Sequence, residues 1–193
     1  MIRTFTVIAA LILAAGTSSA QDCANVTVED AFDLDEAAVA SLYACLQEKM
    51  ATGYASQGDK TGANYRNWAV TATAPGIAGA HSNRLLLTFA NEVAAEQYLK
   101  FAEDGVEMPV GSVLAKESIT VSIKKKTARP GPLFIMTKVG VEKAPDAGGW
   151  LYSALQPNGK VMKVKQSFCH DCHIGWQAQD MLAYPLEELR VSQ

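Results

Sequence analysis

Cys169, His170, Asp171, Cys172 and His173 form one short run near the C-terminal end of a chain of 193 residues. Two cysteines three apart, followed at once by a histidine, have the spacing for covalent haem attachment. On one helical turn, residues three and four apart share a face. Cys169 and Cys172 can then each form a thioether with one haem vinyl group. His173, four residues after Cys169, falls beneath the iron as its proximal ligand. The expectation is one covalent haem c, with His173 as the metal ligand.

Other readings of the run explain less of it. A thioredoxin-like redox pair opens a helix after an early strand, and no βαβ pattern precedes this one. A structural disulfide leaves the adjoining histidine unexplained. A zinc site needs a fourth ligand, and His81 is the one histidine outside the run. His170, between the cysteines, should point away from the iron into solvent.

A sixth iron ligand is harder to find. Twenty residues follow His173, and Met181 lies too near to reach the opposite haem face. Met108, Met136 and Met162 fall in or beside strand patterns, where methionine usually packs. His81 sits in a Gly-Ala-His-Ser loop that reads as exposed. A five-coordinate iron with an open distal side fits best. Such a site binds or transforms a small ligand, whereas two strong axial ligands favour pure electron transfer.

The elements that must hold this run read as α+β. Asp35 caps a helix over 36–53, with Val39, Leu42, Tyr43, Leu46 and Met50 along one face. Residues 58–64 read as a loop and 66–73 as a first strand. A strand over 84–90 leads to Asn91, which caps a helix over 92–104, with Gly105 at its end. Residues 112–124 alternate: Ile119, Val121 and Ile123 face one way, Ser118, Thr120 and Ser122 the other. Beyond the breaks at Pro130 and Pro132 come strands over 133–141 and 150–155. Pro157-Asn158-Gly159 then turns a hairpin into 160–166. The sum is an antiparallel β-sheet with flanking helices and a C-terminal haem segment. A four-helix bundle does not fit so many strands.

The N-terminus reads as a secretory signal peptide. Arg3 precedes the apolar run 5–15, and Ser18 and Ala20 suit a signal peptidase. Cleavage after Ala20 would leave one haem-binding domain over 21–193, exported to the periplasm. No later stretch is apolar for long enough to span a bilayer. The net charge of −3, or −4 once Arg3 is lost, excludes the broad basic surfaces of nucleic-acid binders. Lys124-Lys125-Lys126 reads as a solvated strand end. Cys23 and Cys45 remain, and in an oxidising compartment they would bond to each other. Closing that loop is worth roughly 3 kcal/mol by chain entropy.

Several blocks together resemble the cytochrome P-460 family, which includes the cytochromes c′-beta. They are Asn64-Tyr65-Arg66-Asn67-Trp68, Asn83-Arg84-Leu85, Gly111-Ser112-Val113-Leu114-Ala115-Lys116-Glu117, Gly148-Gly149-Trp150 and the late haem run. The resemblance implies an antiparallel sheet with helices, a homodimer and a five-coordinate haem. It implies that Lys116 matches a lysine cross-linked to a haem meso carbon in enzymes that oxidise hydroxylamine. Arg84 matches a distal-side arginine. In those enzymes a carboxylate over the iron comes from the strand after the Pro-rich loop. Here that strand reads Leu133-Phe134-Ile135-Met136, without an acid. From alternation alone, Lys116 shares a face with Ser118 and Thr120, and Glu117 one with Val113 and Ile119. Lys116 is then either a solvated strand lysine or a cavity residue.

Three functions remain open. One is an oxidoreductase acting on hydroxylamine or a related nitrogen oxide, with Arg84 and Lys116 in the reaction and a soluble acceptor, such as another cytochrome, taking the electrons. One is a nitric-oxide-binding protein without catalysis. One is a simple electron carrier with His81 or Met136 as sixth ligand.

Overall fold

The computed structural model describes residues 24–192. The expected signal peptide and Cys23 lie outside them. Cys45 is disulfide-bonded. Among the described residues no helix is long and apolar enough to cross a membrane.

Helix α1 (Glu36–Ala55) begins where the Asp35 carboxylate accepts a hydrogen bond from the Ala38 amide at 2.8 Å. Val39, Leu42, Leu46, Met50 and Tyr54 recur every three or four residues and are all buried. Each such side chain contributes roughly 1.5–3 kcal/mol on leaving water. The span 58–64 is not all loop. Asp59 caps a short helix α2 (Lys60–Asn64) through the Gly62 amide. Gly62 packs on the Tyr54 carbonyl, where a Cβ would come within 2.4 Å, so glycine permits the turn.

The strands are β1 (Ala69–Val70), β2 (Gly76–Ala78), β3 (Arg84–Ala90), β4 (Val113–Ser122), β5 (Thr127–Pro130), β6 (Leu133–Lys138), β7 (Trp150–Leu155) and β8 (Val161–Met162). They form one sheet in the order β1-β3-β4-β6-β7-β8, with β2 also on β3 and β5 also on β4. Every pairing is antiparallel. The strand expected over 66–73 shrinks to β1, because Tyr65–Asn67 is a 3-10 turn that carries Arg66 inward. Lys124, Lys125 and Lys126 form the exposed turn between β4 and β5.

Helix α3 (Glu92–Tyr98) starts at Asn91, whose side-chain oxygen accepts from both Ala94 and Val113 amides. It stops well short of Gly105. Phe101 has a positive φ of 48°, and its ring packs against Tyr98 and Tyr184. A tertiary aromatic contact overrides the helical pattern there.

The sheet is buried on both faces. One carries Leu85, Leu87, Phe89, Ala115, Ile119, Leu133 and Ile135 against α1. The other carries Ala90, Leu114, Met136, Trp150 and Tyr152 against α3 and the C-terminal segment. Helix α4 (Gln166–His173) lies in that segment.

Candidate functional site

Antiparallel register places Thr88 opposite Lys116, Lys116 opposite Phe134, Phe134 opposite Ala154, and Ala154 opposite Met162. Strand side chains alternate, so directly paired residues share a face. These five form one row across the sheet, and all five line a single cavity of about 540 Å³. That volume is in the usual range for a small-molecule or cofactor site.

Helix α4 closes the opposite wall. The Gln166 side chain accepts from the Tyr152 amide at 2.8 Å and donates to the Tyr152 carbonyl at 2.7 Å. It pairs with β7 as a strand would, and so docks the start of α4. One turn on, Cys169, Cys172 and His173 all line the cavity. Both cysteines are free thiols. Burial, and then nearby Cys172, raise the Cys169 thiol above its ordinary value. That is the reverse of an activated redox thiol. Among the described residues no three His, Cys, Asp or Glu side chains converge, as a zinc centre would require.

His173 is buried, and its Nδ1 lies 2.7 Å from the Met181 carbonyl oxygen. A carbonyl only accepts, so Nδ1 carries the proton and Nε2 keeps its lone pair. Burial holds the imidazole below its ordinary pKa, against the pull of the Met181 bond. This is the neutral, oriented imidazole that an iron needs.

Lys116 is half-buried, with its side chain on the cavity wall; burial lowers its amine to about 8. The face of β4 that carries Leu114 and Lys116 looks into the cavity, and β4 reaches it without a bulge. His81 is not the exposed loop residue expected. Its ring packs 4.7 Å from Phe134 on the same cavity, and burial, with Lys116 next in effect, lowers it to about 3. Arg84 does not line the cavity. Its guanidinium donates to the His81 carbonyl at 2.6 Å and to Thr120 Oγ1 at 3.3 Å, so it holds the loop that carries His81. His170 is half-buried beside Tyr152, not solvated. Met136 and Met162 line the cavity, and Met108 does not.

The chemistry of this lining suits a haem. Its surface is mostly apolar, as a macrocycle requires, and among the described residues no aspartate or glutamate is part of it. Tyr152 and Tyr184 also line it, and each has a buried hydroxyl without a hydrogen-bond partner. A cofactor that carries carboxylates would supply acceptors for such groups. The two thiols and the Nε2 lone pair stand along the same wall.

Sequence reasoning missed the Gln166 dock, the Met181 carbonyl and both tyrosines. Alternation in 150–155 does place Tyr152 on the face of Trp150 and Ala154. Backbone carbonyls and long-range side-chain contacts leave no such pattern.

No curated protein matches the chain. The family model described as Cytochrome P460 matches residues 62–183, more than half the chain. Its span takes in the five-residue row, α4 and the Met181 carbonyl, and the chain belongs to the cytochrome P460 family, which implies a haem cofactor.

Proposed function

We propose that this is an exported, periplasmic c-type cytochrome with one haem. Cys169 and Cys172 would hold it covalently, and His173 would ligate its iron. The open distal side would take hydroxylamine or a related nitrogen oxide. The haem would supply the redox chemistry, and a soluble acceptor, such as another cytochrome, would receive the electrons. A homodimer is the assembly that the family resemblance suggests.

One observation carries this reading: the Lys116 side chain lines the same cavity as the attachment motif. Its lowered pKa leaves a large share of neutral amine at mildly alkaline pH, and the neutral form is the nucleophile. That supports a bond from Lys116 to a haem meso carbon, as in the hydroxylamine-oxidising members; it would replace one amine N–H and the meso C–H, with two protons released and two electrons taken by an external oxidant of the peroxide class. Arg84 would act at one remove, by holding His81 over the cavity.

A second reading, nitric oxide binding without catalysis, is favoured by a lining to which no described residue brings a carboxylate side chain. His81 is too weakly basic to replace it. The test is the ferrous absorption spectrum of protein matured with haem-attachment machinery, beside Lys116→Ala. A red-shifted Soret band that reverts in the variant supports the cross-linked enzyme. An ordinary five-coordinate c-haem spectrum, the same in both, overturns it in favour of gas binding.

A further inference from the structure

Lys138 and Asp180 are 42 positions apart in sequence, and both are buried. Lys138 Nζ donates to Asp180 Oδ1 at 2.6 Å, to Oδ2 at 2.7 Å and to the Gly148 carbonyl at 3.0 Å. Asp180 Oδ2 also accepts from the Met108 amide at 2.8 Å. Trp150 Nε1–H donates to the Asp180 carbonyl at 2.9 Å and to Oδ1 at 3.2 Å. Every strong hydrogen-bonding group of the pair has a partner.

For stability alone, well-packed apolar side chains commonly serve as well as a buried ion pair. This pair holds something specific. Asp180 and Met181 both have positive φ, at 51° and 66°, which is uncommon for residues other than glycine. The turn is closed by the Met181 amide on the Trp176 carbonyl at 2.9 Å. Its product is the Met181 carbonyl 2.7 Å from His173 Nδ1.

We propose that the Lys138–Asp180 pair, with Trp150, is a positioning device: it fixes the Met181 carbonyl against His173 Nδ1 and thereby sets how strongly that imidazole binds iron. This rests on His173 being the haem ligand. A firm acceptor at Nδ1 raises the basicity of Nε2, strengthens the iron–imidazole bond and favours ferric iron. None of the three side chains needs to touch the haem.

The test uses haem-loaded protein carrying Lys138→Met together with Asp180→Asn. Asparagine tolerates the positive φ. The double change removes one charge of each sign, so net charge cannot move the potential. Relative to wild type, the iron–histidine stretching band of the ferrous protein should fall in frequency, and the reduction potential should rise. Both unchanged in fully loaded protein would overturn the proposal. Where the double variant fails to take up haem, Trp150→Phe decides, since it removes one donor and strands no charge. It should shift both readouts the same way by a smaller amount, and no shift overturns the proposal. If wild type itself shows no iron–histidine band, the ligand assignment is what fails.

Discussion

Lys116 and Glu117 are consecutive on β4, and their side chains point to opposite faces of the sheet, Lys116 half-buried and Glu117 fully buried. Lys116 lines the cavity that the Cys169–His173 run also lines. Glu117 lies under α1, where it accepts from Tyr43 Oη at 3.0 Å and from Tyr65 Oη, and pairs with Arg66 Nη2 at 2.5 Å. A slip of one residue would exchange them and put the lysine into the α1 core. The Glu117 cluster therefore fixes the register that aims Lys116 at the cavity.

Glu117→Gln should test that anchor. The amide keeps the shape and removes the charge opposite Arg66. Arg66 would retain its bond to the Gln47 carbonyl, 3.0 Å away, and would lack a counter-charge. Breaking one side of a buried pair costs about 3 kcal/mol. Denaturant unfolding of the haem-loaded protein measures this, and a loss below about 1 kcal/mol would show that Glu117 is not an anchor.

The attachment run gives a second prediction. Cys169→Ser or Cys172→Ser should leave haem held by a single thioether, visible as a changed pyridine haemochrome band. The double serine variant should release all haem on denaturation. Covalent haem surviving in the double variant would remove the basis for the c-type assignment.

How far this site could be read from residue order depends on how local each signal is. The Cys169–His173 spacing lies within one helical turn, so it was legible at once. Alternation in β4 set Lys116 and Glu117 on opposite faces. It could not say which face held the cavity, because both sides of the sheet are covered. His81 read as an exposed loop residue because its burial comes from Phe134, 53 positions away in sequence. The helix expected to reach Gly105 ends at Tyr98 because Phe101 turns toward Tyr184. Such contacts are made by the finished fold and leave no periodicity behind them.

His81 should give the protein an acid-sensitive component of stability. Its imidazole takes a proton near the ordinary 6.5 when unfolded and only near 3 when folded. Between those values the unfolded chain binds more protons, so stability falls as pH falls. Below pH 3 the loss is complete, and above 6.5 it is absent. Between pH 7 and pH 4, wild type should lose about 2 kcal/mol more than His81→Phe, after discounting for partial exposure. Unfolding free energies at the two pH values check this, and parallel losses in the two proteins would contradict it.

Phe134→Glu asks whether a missing base limits catalysis. Phe134 is paired directly with Lys116 across β4 and β6, and its ring faces the cavity. A carboxylate there would be the first acid in the lining. It would lie beside Lys116 on the wall of the same cavity. A positioned general base contributes at least roughly a hundredfold in favourable cases. The loss of ring packing against His81 works against that gain. We therefore expect hydroxylamine turnover to rise by about tenfold over wild type, read as kcat with an artificial electron acceptor. The same substitution combined with Lys116→Ala should show no rise, because the haem cross-link of the enzyme reading would then be absent. A rise that persists without Lys116 would mean that the base works alone. No rise in either would leave the apolar distal side as that of a protein that binds its ligand without oxidising it.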